Sequence, residues 1–181
     1  VSERDSLEYL AARLEISDAM ATYCRGVDRG DDDLMASIFQ PDADVSHGLH
    51  ARTHADDPAY GSFTFFHHHI GNQVVEITGD RAASETYLSA TQGFVLDGVD
   101  YEMHVKARYL DRWERRDGPF KVVYRRVVWD SVRTEQSSPT WPDGASIHWA
   151  GNRVMHDDLR WGSRSHDDES YSLFESVSRV G

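Results

Sequence analysis

The chain has 181 residues, with 31 acidic against 19 basic side chains and a formal charge of −12 at neutral pH. That length suits one domain with a real core, and the acidic balance argues against nucleic acid and anionic membrane as partners, since both need clustered Lys and Arg. No stretch approaches the apolar length of a membrane span, Val1-Ser2-Glu3-Arg4-Asp5 does not read as a signal peptide, and the single cysteine, Cys24, excludes an internal disulfide and fits a reducing cytoplasm.

Residues 6–27 read as one amphipathic helix. Leu7, Leu10 and Leu14, then Ile16, Met20, Tyr23 and Val27, recur at steps that place apolar side chains on one face. Cys24 reads as a small core thiol. Gly26 and Gly30 are stop signals, and Asp31, Asp32 and Asp33 offer N-cap oxygens for a short second helix over 32–39. Asp28 therefore sits at a helix end near the apolar face, where a carboxylate must reach solvent or find a partner. Pro41 breaks the pattern, and Ala43-Asp44-Val45-Ser46 is too short to assign. From His47 to Gly61 the chain is polar and aperiodic, with His47, His50 and His54, and reads as a surface loop able to act as a lid.

The second half changes period. Phe63 to Glu76 has strand content, Thr78–Arg81 is a turn, and Ala83-Glu85-Tyr87-Ser89 alternates with Ser84-Thr86-Leu88-Ala90 up to Asp97-Gly98. Tyr101, Met103, Val105, Ala107 and Tyr109 alternate with Glu102, His104, Lys106 and Arg108, as in a half-buried strand. Asp117-Gly118 makes a second hairpin turn before a long strand from Phe120 to Val132. Such long strands imply strong curvature. After Thr134 the tail is loop-like, and Trp141, Trp149 and Trp161 suggest that it packs on the core or on a neighbouring subunit. The expectation is one α+β domain over 1–181, with its core in 6–133. Its strongly curved antiparallel sheet wraps over the N-terminal helices as a cone-shaped barrel with one open end.

Phe65-Phe66-His67-His68-His69-Ile70-Gly71-Asn72 is the other informative stretch. Neighbours in an extended chain point to opposite faces, so His68 parts company with His67 and His69. Adjacent histidines make a poor metal site, and no metal-ligand spacing occurs. One histidine turned inward beside Asp28 would instead have its tautomer fixed by the carboxylate and act as a general base.

The order and spacing of several motifs resemble the SnoaL-like branch of the nuclear-transport-factor-2-like superfamily. They are Tyr23-x4-Asp28-Arg29-Gly30-Asp31, Leu34…Ser37-Ile38-Phe39-x2-Asp42-Ala43, His68-His69-Ile70-Gly71-Asn72, Gly79-Asp80-Arg81-Ala82 and the run Tyr109–Val122. The chain is similar there to hexachlorocyclohexane dehydrochlorinase, bile-acid 7α-dehydratase and scytalone dehydratase, and Asp167–Tyr171 resembles a motif of such C-terminal tails. The resemblance implies cofactor-free elimination by an Asp–His dyad in a homo-oligomer, commonly a trimer. It assigns Asp28 and His68 to the dyad, Tyr23 to a substrate-facing position and Arg125 to stabilising negative charge. His69 could replace His68 if the strand is bulged, and Arg126 points opposite to Arg125. Relatives usually place a helix before the histidine, and the short segment between Val45 and His67 lacks one.

The function read here is a cofactor-independent lyase, using no metal, acting on a small hydrophobic ring-bearing substrate. Tyr87, Met103, Val105, Tyr109 and Trp129 are the candidate apolar wall. The alternatives are a ketosteroid-isomerase-like isomerase or polyketide cyclase using the same dyad, and a non-catalytic small-molecule binding module.

Overall fold

A computed structural model describes residues 6–46, 62–137, 146–149, 152–155 and 160–178. Helix α1 spans Leu7–Arg29, and its first turn is closed by Ser6, whose Oγ accepts the Tyr9 N–H at 3.1 Å. Its buried face is Tyr9, Ala12, Ile16, Met20, Tyr23, Cys24 and Val27. Leu7, Leu10 and Leu14, expected on that face, are turned outward and are 84, 52 and 62% exposed. The reason lies in the spacing: the step of two from Leu14 to Ile16 moves a side chain about 200° round the helix, so the sequence carries two apolar stripes.

Only one of the two glycines stops the helix. Gly30 takes the left-handed conformation at φ 67° and its N–H closes the last turn, a role suited to glycine. Gly26 is inside α1, where a Cβ would come within 2.7 Å of the Met35 backbone nitrogen and side chain. The second helix, α2 (Asp32–Ala36), is capped by Asp31, whose Oδ1 accepts the Leu34 N–H at 2.9 Å. It is shorter than expected because Phe39 already belongs to a strand.

Five strands form one sheet: β1 (Phe39–Ser46), β2 (Phe63–Thr78), β3 (Arg81–Leu96), β4 (Val99–Arg115) and β5 (Phe120–Gln136), in the order β1-β5-β4-β3-β2. The long strands and their hairpins follow the expected turns. The sheet curves around α1 but does not close, since β1 and β2 are both edges. Nor is it wholly antiparallel: residues 43–46, left unassigned from sequence, lie in β1, which runs parallel to β5. One face of the sheet buries Ala82, Thr86, Leu88, Ala90, Val105, Ala107, Tyr109 and Trp113 against α1. The other face carries ion pairs, including Arg108 with Glu85 and Asp130, and Arg126 with Asp44.

The tail holds more structure than its composition suggested: a small hairpin of β6 (Ser146–Trp149) and β7 (Asn152–Met155), and a helix α3 (Glu169–Ser178). The loop from His47 to Gly61 and Trp141 lie outside the described residues. None of the described helices is long and apolar enough to cross a membrane.

The phase of α1 makes a direct test. Ile16→Ala, at a fully buried site, is expected to cost about 2–5 kcal/mol, whereas Leu14→Ala should change stability by less than about 0.5 kcal/mol. Urea denaturation of the two variants reads the difference.

Candidate active site

Asp28 lies in the last turn of α1 and His68 on the inward face of β2. The alternation of β2 holds through this stretch: Phe66 is buried, His68 and Ile70 are partly buried, and His67 and His69 are exposed. The irregularities in β2 fall before and after the histidines, between Phe63 and Phe65 and between Ile70 and Gln73, so His69 stays pointing outward. Opposite His68 in the ladder is Ala90, small and buried. Asp28 Oδ1 is 2.6 Å from His68 Nδ1, and Asp28 Oδ2 accepts the His68 backbone N–H at 3.1 Å. Both carboxylate oxygens thus grip one residue. With a proton on Nδ1 directed at Asp28, Nε2 is the ring nitrogen with a lone pair.

The pair forms part of the wall of a cleft of about 380 Å³, completed by Ala21, Cys24, Arg25, Arg29 and Ile70, and by Asp168 and Ser170 from the tail. Asp168 is the knot that ties the tail to α1. Its carboxylate accepts Ser170 Oγ–H at 2.6 Å, the backbone N–H groups of Ser163 and Ser170, and Arg29 Nη1 at 3.0 Å. These hydrogen bonds, Ser170 first, hold its pKa well below the usual carboxylate range. Two residues of α3 add to the knot: Ser170 accepts from Arg25 Nη2 at 3.1 Å, and Tyr171 Oη donates to Asp31 at 2.6 Å. Sequence reading gave Asp168 no role, although its place in an Asp-Asp-Glu-Ser-Tyr run was the available signal.

Deeper in the fold, Arg125 and Asp111 form a bidentate ion pair, Nε to Oδ1 and Nη2 to Oδ2, both 2.7 Å, with no solvent exposure on either side chain. The guanidinium stacks against Tyr23 and Tyr109, with ring centroids 4.5 and 4.3 Å away, and Nη2 also meets Met20 Sδ at 3.0 Å. Burial works against the charge on Arg125, but the Asp111 carboxylate outweighs it and raises the pKa. Arg125 Nη1 has no hydrogen-bond partner among the described residues. Arg126, on the opposite face, reaches Asp44. Asp111 was overlooked from sequence. It alternates inward with Tyr109 and Trp113, and an inward carboxylate required a cation.

Of the expected wall residues, Val105 and Tyr109 are buried on the inner face and Met103 packs against the same core, whereas Trp129, paired with Ala107 in the ladder, is exposed. Tyr87 does not belong with them. It alternates outward with Glu85 and Ser89, and Arg108 lies over its ring. No cluster of three or more His, Cys, Asp or Glu suited to a metal occurs among the described residues.

A profile of the SnoaL-like domain matches residues 8–126, well over half the chain. The chain belongs to the SnoaL-like family. No curated protein matches it, but solved structures do. A hexachlorocyclohexane dehydrochlorinase (LinA) of type 2 shares 21% identity at a TM-score of 0.68, covering 77% of this chain and 99% of its own. A putative scytalone dehydratase from Novosphingobium aromaticivorans shares 19% at 0.61, covering 68% and 87%. A nuclear-transport-factor-2-like superfamily protein from Salmonella enterica serovar Typhimurium shares 15% at 0.59, covering 67% and 93%. At these identities the likeness is one of fold.

Two outcomes follow from the electrostatics. Burial pushes the Cys24 thiol up to about 12, with Asp28 and Asp111 adding to the effect against Arg125. At pH 8 only about one thiol in ten thousand is then ionised, so a disulfide reagent should label Cys24 in the native protein far more slowly than in urea. Asp168 has a depressed folded pKa, so its contribution is complete above the unfolded value and drains as pH falls below about 4. Asp168→Asn should flatten that part of the acid stability profile, measured by thermal melts at stepped pH.

Proposed function

We propose that this SnoaL-like protein is a cofactor-independent lyase in which His68, oriented by Asp28, is the general base. The observation that carries the reading is the double attachment of Asp28 to His68, at 2.6 Å through the ring and 3.1 Å through the backbone. Such a grip fixes both the tautomer and the ring plane, which a base acting through Nε2 requires. Location supports the reading too, since the pair lines a cleft rather than lying in solid core.

In the proposed reaction Nε2 takes a proton from a substrate carbon next to the one bearing a hydroxyl or halide. The C–H electron pair becomes the new double bond, and the bond to the leaving group breaks with its electrons on that group. A halide departs as such and the imidazolium then gives its proton to solvent; a hydroxide collects the proton from the imidazolium and leaves as water; either way His68 returns to its starting form. Arg125, through Nη1, and the Tyr23 phenol would stabilise the charge that develops, as preorganised donors do. Asp111 holds two of the other Arg125 donors and thereby aims the group. Ala21 and Ile70 supply apolar surface in the cleft, whose lining does not include Val105, Tyr109, Met103 or Trp129. The trimer implied by the resemblance belongs to the same proposal; its support is the family likeness, since the outer face of the sheet carries ion pairs.

The test is kinetic. His68→Ala should lower turnover by about 10²–10⁴-fold, and Asp28→Asn should remove much of it by permitting the wrong tautomer. Because the two act as one unit, the double variant should be little worse than His68→Ala alone. A product lighter than the substrate by one water or one hydrogen halide marks elimination, and an unchanged mass marks isomerisation. Retention of more than about a tenth of wild-type turnover by His68→Ala would sink the assignment.

A further inference from the structure

Among the described residues, Arg25 is a cleft cation outside any ion pair, with Asp31 acting on it only from beyond contact distance. Asp28 spends both oxygens on His68. Asp168 is taken by Arg29, Ser163 and Ser170, and Asp31 by the Leu34 N–H and the Tyr171 hydroxyl. Arg25, which lines the same cleft, has no carboxylate within ion-pairing distance among the described residues. Its guanidinium is nevertheless held in place. The ring centroids of Tyr171 and Phe174 lie 4.3 and 5.0 Å from Cζ, and Nη2 donates to Ser170. A guanidinium has five N–H donors in a planar fork suited to a carboxylate, and this one spends a single described bond.

We propose that Arg25 anchors a carboxylate on the ligand of this cleft, so that the substrates are small ring-bearing organic acids. The inference rests on the cleft being the ligand site of the proposed lyase. Arg25 precedes Asp28 by three residues on α1, a separation that brings Cβ atoms to about 5–6 Å. A carboxylate on Arg25 would therefore leave the adjoining carbons of a compact acid within reach of the dyad, with Ala21 and Ile70 offering apolar surface beside it. The charges opposing such a ligand are those of Asp28, whose two oxygens are both turned to His68, of Asp168, which is paired with Arg29, and of Asp31, which bonds to Tyr171. Tyr171 and Phe174 pre-orient the fork, so little conformational freedom is lost on binding.

Benzoate and its uncharged isostere benzamide separate this idea from general apolar binding. Calorimetric titration of the whole protein should show benzoate binding at least about tenfold tighter than benzamide, the usual scale of a charge-assisted pair, with the preference shrinking as salt rises. Arg25→Gln should abolish the preference, bringing the two affinities level. Arg25→Lys, which keeps the charge but not the fork, should retain part of it, and circular dichroism confirms that each variant is folded. A benzoate preference in the wild-type protein together with undiminished turnover in His68→Ala would fail the lyase reading alone, so failure of the two readings gives different results. Equal affinity for the two probes, no benzoate binding at millimolar concentration, or an undiminished preference in Arg25→Gln would overturn the proposal.

Discussion

Asp111 and Arg125 face each other across β4 and β5 with no solvent on either, and neither charge could remain there without the other. Removing one partner of such a buried pair typically costs about 3–5 kcal/mol, a large part of the roughly 5–15 kcal/mol by which a domain is stable. The pair also joins layers. Its guanidinium touches Met20 and Tyr23 of α1, Phe39 of β1 and Tyr109 of β4. These contacts help to fix where α1 lies over the sheet. Asp28 is five residues beyond Tyr23, about 7.5 Å along the axis, so the position of its carboxylate against His68 follows from that docking.

Two kinds of constraint then converge on the dyad. From α1, the left-handed Gly30 ends the helix one turn past Gly26, and the absence of a side chain at Gly26 lets α2 press close through Met35. From the sheet, the alternation of β2 turns one histidine of three inward, opposite an alanine that leaves room for its ring. The proposed chemistry draws on a division of labour: a base at the cleft wall, gripped by its carboxylate, and a charge-stabilising guanidinium within the core, held by a second carboxylate.

Much of this was legible in the sequence because strand alternation is local. The separation of His68 from His67 and His69, and of Arg125 from Arg126, follows from a period of two, while the choice of His68 and Arg125 as the inward members came from the family resemblance; the Asp-Gly pairs marked the hairpins. What was illegible depended on partners distant in the chain. Leu7, Leu10 and Leu14 are as apolar as Ile16 and Met20, and only the phase step after Leu14 says which stripe meets the sheet. Tyr87 sits among apolar neighbours, yet it shares its face with Glu85 rather than with Leu88. The parallel union of β1 with β5 gives no periodic signal in an eight-residue strand containing Pro41. Asp111 could have been inferred, since an inward acid between Tyr109 and Trp113 demands a base across the sheet.

The knot at Asp168 bears on the order in which the molecule is made. Its bonds to Arg29 and the bond from Arg25 to Ser170 span 139 and 145 positions, whereas the dyad spans 40. On a ribosome, α1 and all five strands are synthesised before residue 168 exists. The base and its carboxylate can thus meet before the tail is made, while the cleft gains its outer wall only once residues 163–171 have followed. Long-range closure of this kind is also slow. A nascent chain therefore passes through a stage with the dyad assembled and one side of its cleft still open to water and to chaperones.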